Sequence, residues 1–144
     1  KAVHACIPDA IVLADDSGLE VDYLDKQPGV YSARYMGEDT PYEIKNAAII
    51  RKLTHAKEEE RTARFVSAVC VFREDGEHLT VRGTAEGLIL ESKQGSGTFG
   101  YDPLFYYPPF GKTFAELTGS EKNGVSHRGN ALSLLMKNRD FFLK

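Results

Sequence analysis

The chain has 144 residues, 42% of them hydrophobic and 27% charged, with a net charge of −3. That length carries one domain with a real core and is too short for two ordinary ones. The charge excludes a bulk pull toward nucleic acid or anionic membrane, and no apolar run approaches the length of a membrane span.

Residues 1–6 read as the last turns of a helix, stopped by Pro8. Residues 11–14, IVLA, read as a short buried strand that runs into Asp15 and Asp16 and then a Ser17-Gly18 turn. Adjacent carboxylates at a strand end are costly unless compensated. Successive strand side chains point to opposite faces, so the two do different jobs. One ties down local backbone; the other points beyond the sheet edge, where open α/β sheets place ligands. An Asx-turn closing the strand would have the same composition. Gly18 to Val21 resumes an extended path. Residues 25–35, with turn chemistry at Pro28-Gly29, form a long ordered loop of the kind that is usually functional. Its Arg34 is either a phosphate clamp or a salt-bridge partner within the fold or between subunits.

Thr40, Pro41 and Glu43 predict a helix start with a capping box. Ile44, Ala47, Ala48, Ile50 and Leu53 give that helix an apolar stripe to about Ala56. The run KEEER at 57–61 is a solvated helix end. Residues 62–73 are a strand with apolar residues on both faces, placing it mid-sheet and covered on both sides. Asp75-Gly76 is a two-residue hairpin turn. The return strand, 78 to about 90, carries Gly83 and Gly87, which suggest bulges. The centre is therefore an antiparallel hairpin within a mixed sheet.

Residues 94–100, QGSGTFG, are a glycine-rich loop. Residues 101–107 are β-prone and aromatic, ended by Pro108-Pro109. The polar segment that follows holds one helical turn at 114–117. Ser126 caps a last helix whose apolar side is Leu132, Leu135, Met136, Phe142 and Leu143. Cys6 and Cys70 read as buried free thiols of a reducing, cytoplasmic compartment.

Three groups of residues suggest chemistry. Phe99-Gly100-Tyr101-Asp102 joins two aromatic faces and a carboxylate, which would hold a planar base; two core aromatics flanking a turn would look the same. His127 and Arg128 are basic residues at the positive end of a helix, which points to an anionic or electron-rich ligand over a plain surface pair. Lys122 lies close enough in sequence to join them, and Gly129 hints at a close approach. With the Asp pair, these fit a nucleotide and its metal, although neither a P-loop nor a GxGxxG unit is present.

Four blocks then carry a resemblance: ADDSGL at 14–19, PGVYSARY at 28–35, GTFGYDPLF at 97–105 and AELTGSEKNGVSHRGNAL at 115–132. In this order they resemble the inosine/xanthosine triphosphate pyrophosphatase family, across nearly the whole chain. The resemblance implies an elongated, two-lobed α/β fold. Its mixed, strongly twisted sheet is flanked by helices, with the active cleft between the lobes. It implies a homodimer and Mg²⁺-dependent hydrolysis of ITP, dITP and XTP to the monophosphate and pyrophosphate. It makes Asp16 the catalytic base and a metal ligand, Asp15 its metal-binding neighbour, and Ser17 a substrate contact. Phe99, Gly100, Tyr101 and Asp102 would form the purine site. Lys122, His127 and Arg128 would also bind substrate, the last two reading the 6-oxo group, and Lys1 would contact phosphate.

The family opens with a strand and a Ser/Thr-Gly-Asn-x-x-Lys phosphate loop, and supplies a further acidic metal ligand. By family length roughly fifty residues are absent here. The expectation is a single domain, 1–144, without its N-terminal strand and phosphate loop, weak or inactive alone, with apolar surface exposed. The competing readings are a non-catalytic purine-nucleotide-binding module and a hydrolase of modified pyrimidine nucleotides.

Overall fold

The longest runs of alternating side chains form the spine of the molecule. The structure, a computed structural model, describes residues 1–97 and 99–143; Thr98, in the glycine-rich loop read above, and Lys144 lie outside the described residues. Strands β1 (Val12–Val21), β2 (Thr62–Phe72), β3 (His78–Ile89), β4 (Phe105–Tyr107) and β5 (Lys112–Thr113) form one sheet in that order. Helices α1 (Ala2–Cys6), α2 (Tyr42–Lys52), α3 (Gly119–Val125) and α4 (His127–Lys137) flank it. The expected α/β sheet with flanking helices is present. Its pairings among the described residues are antiparallel throughout rather than mixed.

One face of β2, Ala63, Phe65, Ser67, Val69 and Val71, is fully buried; the other is half-buried. The strand is therefore central but covered on one side, not two. Two apolar clusters share the buried face. One gathers Leu19, Val21, Ile49, Leu53, Phe65, Phe105 and Phe114. The other is Val69, Val71, Ala131 and Leu135, under α4. Ser67, fully buried, lies between Phe65 and Val69 on that face.

Several local expectations are corrected. β1 does not stop at the Asp pair. It runs straight through Asp15 to Gly18, paired with β2, so no turn closes it. Its apolar start is not buried: Ile11 and Leu13 are about half exposed, and the buried residues come after the carboxylates. The β2–β3 connection is a three-residue loop, 74–76, closed by Arg73 N donating to Glu77 O at 2.8 Å, with Gly76 at φ +83°. Gly83 and Gly87 sit in regular register, without bulges. They are glycine because neighbours press on them: the His127 carbonyl and Ala131 backbone at Gly83, the Tyr106 carbonyl and Phe105 ring at Gly87.

The α2 start lacks the predicted capping box. Pro41 is the N-cap, and the Thr40 hydroxyl instead donates to Met36 O. The buried stripe is also rotated from the predicted one: Lys45, Asn46, Ala48 and Ile49 face inward, and Ile44 and Ala47 are exposed. Arg61 is no solvated helix end. It is buried and donates to the carbonyls of Leu53, Ile89 and Leu90. The helical turn at 114–116 is present, and a further helix, α3, follows it. Thr118 and Glu121 cap α3 in a reciprocal box that the sequence reading passed over. Ser126 caps α4 as expected, its Oγ accepting from Gly129 N. The buried side of α4 is Ala131 and Leu135; Leu132, Met136 and Leu143 are exposed. Cys6 is exposed and Cys70 half-buried, both free thiols.

Candidate active site

A cleft of about 700 Å³ is lined by residues of β1, the loop after it, the Phe99 turn and the α3–α4 elbow. Strand alternation divides the two carboxylates. Asp15 and Ser17 share the face of buried Leu19; Asp16 shares the other with Glu20. Both carboxylates border the cleft. Asp16 Oδ1 accepts from Ser17 N at 2.9 Å. Asp15 Oδ2 accepts from Arg128 Nε at 2.8 Å. The Ser17 hydroxyl is buried with no hydrogen-bond partner among the described residues.

The wall beside β1 is the 29–34 loop, a 3-10 helix packed tightly on the strand. Ser32 Oγ accepts from Leu19 N at 2.8 Å and donates to Gly29 O at 2.6 Å. The Gly29 carbonyl occupies the place a side chain at position 18 would need, so only glycine fits there. Arg34 in this loop makes no salt bridge within the fold among the described residues. It is exposed and lies over the Tyr31 ring, 5.7 Å from the centroid.

The opposite wall is the Phe99 turn. Phe99 is 76% exposed, its ring open to the cleft. Tyr101 is buried, its hydroxyl donating to Ser32 O at 2.7 Å and its ring edge-on to Tyr42. The two aromatics of this block thus differ: Phe99 presents a free face, and Tyr101 bridges the two walls. Asp102 is buried and ion-paired with Lys122 of α3. Burial pushes its carboxyl up from the ordinary range, and the Lys122 ammonium pulls it back in part. The same ammonium lies 5.3 Å from the centroid of the Phe99 ring and 5.7 Å from that of Phe114.

The α3–α4 elbow brings His127 and Arg128 to the cleft. At Gly129 the Asn123 carbonyl takes the space of a side chain, which is the close approach expected there. His127 stacks on Phe65 with ring centroids 5.0 Å apart, and its Nδ1 is buried without a partner among the described residues. Burial first, then the charges of Arg128 and Lys122, push its pKa down to about 4. It is therefore neutral at pH 7, so only one of the two expected basic side chains carries charge.

The cleft thus collects Asp15, Asp16, Ser17, Phe99, Gly100, Tyr101, Asp102, Lys122, His127 and Arg128. Lys1 is not among its lining residues; it is exposed, at the N-cap of α1. The sequence reading missed Ser32, Tyr42 and Asn123 on the cleft wall, and Lys45 and Asn46 behind it. The signal for the last two was their place four and three residues before Ile49, on the helix face of Ile49 and Leu53, where polar residues are unusual.

For a divalent cation the residues present fit a shared site rather than a cage. No group of three or more His, Cys, Asp or Glu side chains converges among the described residues. Asp16 makes no ion pair among them, and a single carboxylate suits Mg²⁺, which takes one or two carboxylates and completes its shell with water and phosphate oxygens.

The Ham1 family profile matches residues 1–138. A relative from Clostridium perfringens named dITP/XTP pyrophosphatase is 48% identical over 136 residues, covering 94% of this chain and 67% of that protein. One of the same name from Thermus thermophilus is 52% identical over 125 residues, covering 87% of this chain and 60% of that protein. The solved structure of the Staphylococcus aureus Ham1 protein superposes with a TM-score of 0.86 at 41% identity, covering 92% of this chain and 68% of that one. The chain spans about two thirds of the length of the relatives it matches. A match over nearly the whole chain, with the same fold at that identity, settles membership: the chain belongs to the Ham1 family.

Proposed function

We propose that this chain is the base-reading and water-activating part of a Mg²⁺-dependent pyrophosphatase acting on ITP, dITP and XTP. The observation that carries the reading is one cleft holding an open aromatic face, three polar groups suited to a purine carbonyl, and a carboxylate free of ion pairs, in a chain about half identical to dITP/XTP pyrophosphatases.

The purine stacks on Phe99, with Tyr101 fixing the turn and Gly100 and Asp102 backbone at the base edge. Lys122 and Arg128 are donors, and neutral His127 carries one N–H and one acceptor nitrogen. Donors facing a 6-oxo group form hydrogen bonds; facing the 6-amino group of adenine they leave N–H against N–H. Ser17 offers its unpartnered hydroxyl to the phosphates. Asp16 orients a water on the α-phosphorus and takes its proton. The new bond is water oxygen to α-phosphorus; the bond broken joins that phosphorus to the α–β bridging oxygen, and pyrophosphate leaves. Asp16, with Asp15 beside it, would hold the Mg²⁺, which supplies charge neutralisation at the phosphates when bound. Lys1 is proposed as a further phosphate contact. The assembly proposed is a homodimer of single-domain chains, in the cytoplasm that the free thiols suit.

A panel of ITP, XTP, dITP, ATP and GTP, with and without Mg²⁺, tests the reading by pyrophosphate release. Expected are turnover of the first three well above ATP, no release without metal, and loss of turnover with retained binding in Asp16→Asn. Orthophosphate as product, or ATP turned over equally well, overturns it. Binding of ITP without turnover favours the nucleotide-binding module.

A further inference from the structure

Two consecutive residues of α2, neither in a block that carried the family resemblance, are polar and buried behind the cleft. Lys45 is 1% exposed and Asn46 is 3% exposed. Each holds one backbone carbonyl, and the two carbonyls belong to opposite walls. Lys45 Nζ donates to Ala33 O at 2.5 Å, in the loop that packs on β1. Asn46 Nδ2 donates to Gly100 O at 3.1 Å, in the Phe99 turn. Ala33 and Gly100 both line the cleft.

Burying an ammonium and an amide is costly, and neither is fully compensated. Lys45 makes no ion pair among the described residues; its other neighbour is the Tyr42 ring, 4.7 Å from Nζ. Asn46 Oδ1 is buried without a partner among the described residues. A helix stabilised only by packing would carry apolar residues at these positions. A carbonyl can only accept, so Gly100 O fixes which way the Asn46 amide faces. Gly100 itself has φ +57°, and Asp102 N donates back to Phe99 O at 3.2 Å. The turn presenting the Phe99 ring is therefore pinned from behind at one atom.

We infer that Lys45 and Asn46 are positioning residues that set the separation of the two cleft walls, Asn46 acting on nucleotide through Phe99 and Lys45 through the Ser32–Ala33 wall. This rests on the proposed reading of the cleft as the nucleotide site. The two residues thus make separable predictions. Losing the Asn46 contact lets the turn shift, and the cost falls on stacking. Losing the Lys45 contact moves the other wall, and the cost is independent of stacking.

The test is a double-mutant cycle on the purified protein with ITP. Asn46→Ala raises KM about tenfold with kcat changed less than about twofold, the size of one buried hydrogen bond spent on orientation. In a Phe99→Ala background the same substitution changes KM less than about twofold. Lys45→Met raises KM by a similar factor in both backgrounds. Equal effects of Asn46→Ala with and without Phe99, or a fall in kcat at constant KM, overturn the inference. Lys45→Met keeps half of it testable where Asn46→Ala folds poorly, as judged by thermal melting. Amide hydrogen exchange separates this from a failure of the functional reading. Faster exchange at the Asp102 amide in Asn46→Ala is expected whatever the enzyme hydrolyses, and unchanged exchange there overturns the positioning role even if ITP is the substrate.

Discussion

Arg128 and Asp15, 113 residues apart in the chain, meet at the mouth of the cleft with Nε 2.8 Å from Oδ2. Among the described residues only Nε is engaged, so the terminal nitrogens of the guanidinium are left to face a ligand. The pair also places a carboxylate near the start of α4, where a lone arginine is electrostatically misplaced. Both side chains are about half exposed, so the pair adds less than about 1 kcal/mol to stability. Asp15→Ala is expected to leave the melting temperature nearly unchanged and to lower kcat/KM for ITP about tenfold by releasing Arg128. A steeper requirement for Mg²⁺ in that variant would further mark Asp15 as the metal-holding neighbour of Asp16 proposed above.

His127 gives a pH prediction with a definite sign. Its pKa falls from the ordinary 6.5 to about 4 on folding. Between those values the unfolded chain binds the proton and the folded chain does not, so stability falls as pH drops from 6.5 toward 4. His127→Gln removes that slope. Urea midpoints at pH 7 and pH 5 should differ more for the native protein than for the variant. An imidazole titrating near 6.5 by NMR would contradict the buried, uncharged state.

Gly83 bears on both stability and the site. A methyl there meets the His127 carbonyl and the Ala131 backbone, so α4 has to lift from β3. Gly83→Ala should cost about 1–3 kcal/mol in denaturant unfolding. It should also lower kcat/KM for ITP, because the helix start that moves carries His127.

Arg61 separates stability from activity. Its guanidinium ties the end of α2 to the end of β3 through the carbonyls of Leu53, Ile89 and Leu90. Arg61→Met removes that guanidinium from all three carbonyls, of which Leu53 O keeps the Ala56 N–H at 3.0 Å, and should cost about 1–3 kcal/mol. Activity per folded molecule should not change, since Arg61 is not among the residues lining the cleft.

The α/β fold class was legible in the sequence, and so were most of the residues that line the cleft; the local structure around them was less so. Asp15, Asp16, His127 and Arg128 stood out by chemistry out of place for their elements, Phe99 by its aromatic-glycine block and Lys122 by its nearness in sequence, and the cleft collects them. The errors came where local signals competed with packing. Asp-Asp-Ser-Gly has turn composition, but ten consecutive pairings with β2 hold it as strand. Glycines within a strand read as bulges, because backbone pressing from another element leaves no trace in local sequence. The charge of His127 was misjudged for the same reason: Phe65, which stacks on it, is 62 residues away. Lys45 drew no notice because nothing nearby in sequence announces the carbonyl it reaches.

One feature of the core has a mechanical meaning. β2 and β3 run unbroken beneath both apolar clusters, with Ser67 between them on the buried face. The hairpin is thus a beam carrying a separate load at each end. A modest flex at Ser67 would tilt one end of the beam against the other while each cluster stays intact.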